Sequence, residues 1–591
     1  MKMKKFISFV LVFSMLFTIL AIPAFATENT YTPDYDRDTP VIIIHGMSEN
    51  DTYVLDENGN RQYGSDGTYI TGWPLELNVG GLIKEALIPL LLSAFFKQDM
   101  GLTEAMKKGA YEGLPYIHKD AEGNYELPVE VPCYEYPMGD MDEELLEYHY
   151  KLLPLKGLLD IVGGESVYYF GYDSFGDIIG ETEKLHHYIH DVVLPQTGAD
   201  QVSACFISLG GTIGINYLET YPEDYELFKK VEFVVPALDG SDIIGDILTG
   251  NLSVMYDDEV LYEQLLVNLL GDSYLSYIIN MVLRILPSWL LKDALAALAE
   301  GVVEAGVRST SIIWALCPTD YYEEARAKWL ETDEYTLVRE KVDYFMNARA
   351  NFPENLRALQ ATGCEVFDIC CYGIGMFPLC KDWNKTNGDG IVHATSASMN
   401  AAFADIGTTF PEGYKAVGTN CSDPTHNHIS PDNTVDATAG LLPCTTWYIK
   451  NQAHEKLPFN DVALQMAFEI MTDRNMKNVY SNPEKYPQFN EGRLTNDVNL
   501  YLEAWEAADK SAIPGDMLTA VEAAKAEIDK QLGETVVVTE KWNMAVESFR
   551  AALADAGVIE DTTPSFIENA LTVITRKLNR TVNDIYEAVK F

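Results

Sequence analysis

Short runs of continuously apolar residues alternate in this chain with segments whose apolar residues recur at helical spacing. Strands that are apolar along their whole length are typical of a parallel sheet, where both faces are buried. Helices between successive strands supply the crossovers that such a sheet needs. We therefore predict an α/β fold with a mostly parallel sheet. The predicted strands are 41–44, 167–173, 202–206, 231–235 and 365–372, and helices are predicted at 181–193 and 212–221.

Two long insertions interrupt this alternation, at about 48–163 and 240–353. The first contains an apolar run at 86–96 that is too short to span a bilayer. The second is strongly helical, but polar residues and a proline interrupt its apolar region at 261–298 and argue against a membrane span. We expect the insertions to form a helical cap or lid beside the functional face, with ordinary core helices as the alternative.

The first 26 residues have the pattern of an export signal. Three lysines lie within the first five residues, and an apolar run at 6–25 leads to a small-x-small site ending at Ala26. This pattern predicts a signal peptide at 1–26 and a secreted bacterial protein. A retained N-terminal anchor is the alternative. The main α/β domain is then expected at 27–500.

The end of the chain, 510–591, predicts three amphipathic helices, at 516–532, 539–556 and 564–578. Gly533 and Gly557 follow the first two helices, where C-terminal caps belong. We expect a C-terminal three-helix module. It is either a unit that contacts cell wall or glycan or a purely structural tail.

The charge of the chain excludes one class of partner. The sequence has 89 acidic and 42 basic residues, a formal net charge of −47. Such a surface repels phosphate backbones and anionic lipid headgroups, which excludes nucleic acid as a partner. A neutral or zwitterionic substrate is compatible with this charge.

The strongest chemical signal follows the strand at 202–206. Ser208 comes directly after the strand, and Gly210 opens the next helix. A sharp turn at this place lifts a serine hydroxyl above the sheet, and N–H groups at the helix N-terminus face a developing oxyanion. Phe206 stands where the Gly-x-Ser-x-Gly pattern has its first glycine. A structural serine is therefore the alternative.

A second signal lies earlier in the chain, where the strand at 41–44 ends in His45-Gly46-Met47. A loop after an early strand can supply one oxyanion donor to a serine that comes later in the sequence. We predict that the backbone N–H groups of Met47 and Leu209 form an oxyanion hole. His45 by itself is more simply a core histidine.

The acid and the base are expected after the serine in the sequence. Asp389 lies between two glycines on a loop after the last predicted strand, and Asp239 is its rival. His454 follows an aromatic, strand-like run and precedes an amphipathic helix at 461–472. We predict a catalytic triad of Ser208, Asp389 and His454, in which the histidine must be neutral to act as a base.

No metal or cofactor is predicted from the sequence. The nine cysteines show no repeated CxxC spacing. Cys421 and Cys444 flank a loop and are candidates for a disulfide. His426 and His428 lie near Asp423, but two histidines without a clear third ligand are a weak metal site.

Five stretches of the chain resemble the lipase branch of the α/β-hydrolases, including bacterial lipases and the lecithin–cholesterol acyltransferase-like group. These stretches are 41–47, 168–173, 201–218, 388–396 and 447–454. The resemblance implies an α/β-hydrolase fold and a secreted serine hydrolase that cleaves carboxylic esters through an acyl-enzyme, without a cofactor.

The apolar insertions favour ester or lipid substrates with acyl chains and a transient contact with a lipid interface. Two alternatives stay open. One is a non-catalytic scaffold or binding protein, which Phe206 keeps in consideration. The other is an acyltransferase or amidase that uses the same triad.

Overall fold

The computed structural model describes residues 31–64, 67–74, 79–266, 280–281 and 283–560, with the backbone only at 79–84. Three sequence predictions therefore lie outside the described residues, wholly or in part. They are the signal peptide at 1–26, the third C-terminal helix at 564–578 and part of the apolar region at 261–298.

Seven strands form one central sheet in which every neighbouring pair is parallel. The α/β fold is therefore confirmed, and all five predicted strands belong to this sheet. In chain order the strands are β1 (Val41–Ile44), β2 (Thr52–Val54), β3 (Thr71–Trp73), β4 (Val129–Glu130), β5 (Val167–Phe170), β6 (Val202–Ile207), β7 (Phe228–Val234), β8 (Glu365–Tyr372), β9 (Ile374–Gly375), β10 (Asn387–Gly388), β11 (Ala402–Phe403), β12 (Val435–Asp436), β13 (Thr446–Lys450) and β14 (Phe489–Glu491). The order in the central sheet is β14-β13-β8-β7-β6-β1-β5, and the remaining strands form small sheets of two or three.

Helices cover both faces of the central sheet. In chain order the α-helices are α1 (Val79–Phe96), α2 (Leu102–Glu112), α3 (Glu143–Leu152), α4 (Lys156–Val162), α5 (Ile178–His187), α6 (Leu194–Thr197), α7 (Gly210–Thr220), α8 (Asp242–Thr249), α9 (Ser288–Val302), α10 (Ser311–Trp314), α11 (Thr319–Trp329), α12 (Thr336–Ala361), α13 (Ala394–Ala397), α14 (Asp461–Thr472), α15 (Asn496–Ala507), α16 (Gly515–Gly533) and α17 (Thr539–Asp555).

Alternate residues along the central strands pack in two separate cores, because successive side chains point to opposite faces of the sheet. Ile42 and Ile44 of β1 pack in the core that includes α5, α7 and α12. Val41 and Ile43 pack in the core that includes α4 and α14. A strand buried on both sides must be apolar throughout, which explains why the sequence pattern identified these strands.

The helix predicted at 461–472 matches α14, and its capping residue explains where it begins. The side chain of Asn460 accepts a hydrogen bond from the N–H of Ala463 and satisfies a donor of the first turn. The helix predicted at 181–193 begins earlier, at Ile178, because Asp177 caps it.

The two insertions pack on each other. Side chains of α2, including Leu102, share an apolar cluster with Leu290 and Leu291 of α9. One face of α1 remains exposed, with the apolar side chains Leu87, Ile88, Leu91, Leu92, Phe95 and Phe96. No helix in the described part of the chain has both the length and the apolar character of a membrane span.

Three helices near the end of the described chain, α15, α16 and α17, share a separate apolar cluster that includes Trp505, Ile528 and Phe549. The helices α16 and α17 match the first two predicted C-terminal helices, whereas α15 was not predicted as their partner. Gly557 caps α17 with a left-handed φ of 68°. Gly533, predicted to lie after its helix, is instead the last residue of α16.

Phe206 does not lie in the turn that precedes α7. Its side chain is 3% exposed and stacks on Phe233, with ring centroids 5.5 Å apart. Gly214 of α7 faces this ring, and a Cβ atom at Gly214 would lie 3.2 Å from it. The usual sequence pattern has a small glycine at residue 206. Here the room for the larger Phe206 ring is provided by Gly214 of α7, the helix that follows β6.

We expect Phe206→Gly, which restores the usual pattern, to destabilise the protein rather than to improve its site. Removing a buried phenylalanine costs about 3–5 kcal/mol of unfolding free energy. Equilibrium denaturation should show this loss, and Phe206→Leu should show a smaller one. A Phe206→Gly variant as stable as the wild type would contradict this description of the core.

Candidate active site

Ser208 lies in the tight turn between β6 and α7 with a left-handed φ of 51°. Such a conformation costs a non-glycine residue about 1–3 kcal/mol and persists only where its surroundings hold it. The N–H of Ser208 donates to the Val234 carbonyl at 2.9 Å. Its own carbonyl accepts from the N–H groups of Gly211 and Ala237, at 3.0 and 3.1 Å. These three bonds fix the strained turn, which is typical of an exposed serine nucleophile.

Gly210 allows the N-terminus of α7 to contact the end of β1. A Cβ atom at this position would lie 2.6 Å from the Ile44 carbonyl oxygen and 2.9 Å from that of His45. Only glycine fits such a close approach without moving the backbone. The same approach brings Gly46 against Ser208, because a Cβ atom at Gly46 would lie 3.1 Å from the Ser208 Cβ.

The three residues predicted as a triad meet in one line of hydrogen bonds. His454 Nε2 is 2.8 Å from Ser208 Oγ, and His454 Nδ1 is 2.7 Å from Asp389 Oδ2. The other oxygen of Asp389 accepts from the N–H groups of Ile391 and Val392, at 3.0 and 2.7 Å. A histidine that donates through Nδ1 to a carboxylate leaves Nε2 free to accept the serine proton.

Asp239, the rival acid, is engaged elsewhere. Its Oδ1 accepts from the N–H and the hydroxyl of Thr319, at 3.1 and 2.6 Å, at the start of α11. The same oxygen lies 3.5 Å from a nitrogen of Arg349. The structure thus brings Asp389, and not Asp239, to His454.

The two predicted oxyanion donors flank Ser208. The loop that contains Met47 touches the serine through Gly46, and Leu209 is the next residue in the chain. In the part of the chain that the structure describes, the N–H groups of Met47 and Leu209 donate no hydrogen bond. Both donors are therefore available to an oxyanion that forms on a carbon atom attacked by Ser208 Oγ.

His45 holds the loop that carries Met47. Its Nδ1 donates to the Gly46 carbonyl at 2.6 Å, and its Nε2 accepts from the N–H of Tyr172 at 3.2 Å. Its ring stacks on Tyr172 at a centroid distance of 4.1 Å. Burial lowers the pKa of His45 to about 4, so the ring is neutral at pH 7. His45 is the core histidine that the sequence favoured.

Glu49 is a site residue that the sequence analysis missed. Its Oε2 accepts from the N–H of Gly46 at 2.5 Å, which braces the loop before Met47. Burial raises the pKa of Glu49 to about 7. Burial lowers the pKa of His454, but the charge and hydrogen bond of Asp389, helped by the charge of Glu49, raise it by more. The net pKa of His454 is therefore above its usual 6.5.

A cavity of about 530 Å³ opens at Ser208 and His454 and extends between the sheet and the helices α4 and α14. Its wall is mostly apolar and includes Leu155, Leu158, Ile207, Val234, Phe468 and Met471. Glu232 also lines it. Burial raises the pKa of Glu232 well above its usual 4.5 and so favours the neutral form of its carboxyl group.

Comparisons with known proteins add little to this geometry. No family model matches the sequence, and no curated protein matches it. A chain from the crystal structure of the Tle4–Tli4 complex is similar at 14% sequence identity, with a TM-score of 0.28. The match covers 73% of this chain and 97% of that chain. At this score the similarity carries no argument about function, so the functional argument rests on the site itself.

We expect activity to fall as the pH drops through a value above 6.5, because His454 must be neutral to accept a proton. Glu49→Gln should move this fall in activity to lower pH, since it removes an anion that stabilises the imidazolium. The measurement is kcat/KM for a soluble ester as a function of pH. Asp389→Asn is the reference and should lower kcat about 10⁴-fold. If the pH dependence of kcat/KM is the same in Glu49→Gln as in the wild type, Glu49 has no electrostatic role.

Proposed function

We propose that this protein is a serine hydrolase of the α/β-hydrolase type that cleaves carboxylic esters of long acyl chains. The observation that carries the proposal is the hydrogen-bond line from Ser208 through His454 to Asp389. Two backbone N–H groups without an acceptor lie beside its serine end. This combination of nucleophile, base, orienting acid and oxyanion donors fits acyl transfer.

In the proposed mechanism, Ser208 Oγ attacks the ester carbonyl while His454 Nε2 accepts its proton. The carbonyl oxygen becomes negative and is held by the N–H groups of Met47 and Leu209. Asp389 stabilises the imidazolium. His454 then returns the proton to the leaving alcohol, which gives an acyl-Ser208 ester. A water molecule that gives its proton to His454 releases the acid and restores the serine.

The apolar wall of the cavity supports the proposal that the acyl chain of the substrate binds there. It begins at Ser208 and is bordered by aliphatic side chains of β6, β7, α4 and α14. Burial raises the pKa of Glu232 and so disfavours a charge on that part of the wall. The exposed apolar face of α1 supports a further element of the proposal, that such substrates are met at a lipid surface.

Phe206 does not weigh against activity, although it was the basis for the scaffold alternative. Its ring is buried below the turn, so the turn keeps the geometry that the usual glycine would give. An amidase or acyltransferase would use the same four elements. The long apolar cavity is compatible with either acceptor, and we propose water as the simplest one.

A fluorescent alkyl phosphonate should label the purified wild-type protein covalently at Ser208. Labelling requires an activated serine, because an ordinary hydroxyl does not attack phosphonates. The readout is in-gel fluorescence followed by peptide mass spectrometry.

Ser208→Ala should abolish labelling, whereas Ser203→Ala, a change of a buried serine in the preceding strand β6, should not. Folded wild-type protein that stays unlabelled, with and without detergent, would overturn the proposed function. In the same preparation, hydrolysis of a long-chain ester should rise when its concentration passes the solubility limit, if a lipid surface is the natural setting.

Ala467→Trp should shorten the cavity and change the acyl preference. Ala467 lines the cavity from α14, so a bulky ring there occupies the space of distal methylenes. We expect kcat/KM to fall about tenfold or more for dodecanoyl esters and little for acetyl esters. Gln465→Trp, an exposed position on the same helix, is the matched control. Equal losses for both chain lengths would mean that the acyl group binds elsewhere.

A further inference from the structure

Four metal-ligating side chains converge in the region between β11 and β13. They belong to Cys421, His426, His428 and Cys444, and one donor atom of each lies within 4.8 Å of all the others. We propose that these four residues bind one zinc ion in a tetrahedral site. The inference goes beyond the proposed ester hydrolysis and does not rest on it.

Four distances between the donor atoms are within about 0.3 Å of those that a tetrahedral zinc ion imposes. The two sulfur atoms are 3.5 Å apart, and His426 Nδ1 lies 3.5 Å from Cys421 Sγ and 3.8 Å from Cys444 Sγ. His428 Nε2 lies 3.6 Å from Cys444 Sγ. With Zn–S near 2.3 Å and Zn–N near 2.0–2.1 Å, a tetrahedron places sulfur pairs about 3.8 Å apart and S···N pairs about 3.6 Å apart.

The tautomer of His428 is set for metal binding by a neighbouring amide. The Gln488 side-chain nitrogen donates to the carbonyls of Pro443 and Thr446, at 2.7 and 3.1 Å, which fixes the orientation of the amide. Its oxygen must then face His428, and it lies 2.8 Å from Nδ1. Nδ1 therefore carries the proton and donates it, and Nε2 presents a lone pair toward the sulfur atoms.

His426 has a similar arrangement with its two ring nitrogens. Nδ1 faces the cysteine sulfurs, while Nε2 is 3.5 Å from Asp423 Oδ2. A carboxylate on the distal nitrogen is a common partner of a zinc-bound histidine. Asp423, which the sequence placed near the two histidines, is thus a neighbour of one ligand. The missing third and fourth ligands are the two cysteines.

The loop that contains three of the four ligands has no helix or strand of its own, so a crosslink would stabilise it. Between Phe403 and Val435 the chain forms neither a helix nor a strand, and most of its side chains are partly or fully exposed. Loops of this length without secondary structure are uncommon inside a compact domain. Zinc would tie this loop to Cys444, two residues before β13. That strand leads to the loop of His454.

Two other arrangements fit less well. The disulfide considered for Cys421 and Cys444 is not formed, because the sulfur atoms are 3.5 Å apart and a disulfide needs about 2.05 Å. His186, His190 and Asp224 form a second cluster, but it offers three ligands. Its carboxylate already bonds both histidines and a tyrosine hydroxyl.

Zinc is the metal that this donor set favours. Two thiolates and two imidazoles in a tetrahedral arrangement form a typical structural zinc site, and hard cations prefer oxygen ligands. All four positions are filled by the protein, so the site is structural rather than catalytic. Binding converts the two thiols to thiolates and releases two protons to solvent.

The test measures zinc in the full-length mature chain, purified without a histidine tag or chelators. We expect about one zinc per chain by elemental mass spectrometry. Exchange with Co²⁺ should give visible bands of tetrahedral cobalt and a thiolate-to-cobalt charge-transfer band, which can be read on the wild type without any substitution. A strong chelator should lower the melting temperature of the wild type.

Cys421→Ser/Cys444→Ser and His428→Ala should lose the zinc, and chelation should no longer change their melting temperatures. Cys133→Ser and His187→Ala, which change an exposed thiol and an exposed imidazole, should keep it.

The proposal is overturned if the wild type has no zinc, or if peptide mapping finds a Cys421–Cys444 disulfide. It is also overturned if zinc persists in the cysteine variant. These readouts do not involve ester cleavage, so either proposal can fail without the other.

Discussion

The parallel register between β1 and β6 is the constraint on which the site depends. Ile44 pairs with Phe206, so both strands end at the same height and their following loops meet. The missing Cβ of Gly210 then lets α7 begin against the end of β1. With the helix held there, the connecting turn must be tight, and Ser208 takes a left-handed conformation. A shift of one residue between the strands would separate the serine from the loop that contains Met47.

Asp389 and His454 are brought to the same edge of the sheet in a similar way, by two paired strands that end together. The strands β8 and β13 are neighbours and end together at Tyr372 and Lys450. The loops that follow them carry Asp389 and His454, which are linked both through side chains and through backbone. The proposed zinc site would stabilise the long loop between β11 and β12, which lies between Asp389 and His454 in the sequence. The geometry of the base would then depend on two fixed points, the sheet and the metal.

Charge is distributed unevenly across the site, in spite of the very acidic composition of the chain. Near the histidine, the buried carboxyl groups of Asp389 and Glu49 raise the pKa of His454. At Glu232, which also lines the cavity, burial raises the pKa and favours the neutral carboxyl group. Carboxyl groups thus stabilise a cationic histidine at one place and favour a neutral wall at another, because their protonation depends on their surroundings. This contrast is consistent with a mostly apolar cavity wall in a very acidic chain.

The sequence by itself determined the parallel sheet, because buried strands must be apolar throughout, and it placed Ser208, Asp389 and His454 on the loops that meet. Local chemistry, such as the Asn460 cap, also fixed the start of α14. Only the tertiary structure decided the role of Phe206, whose fit depends on Gly214 and Phe233. The same holds for Glu49, for the packing of the two insertions against each other, and for the meeting of two cysteines with two histidines. These features arise where residues distant in the sequence come together, and hydrophobic periodicity carries no information about such contacts.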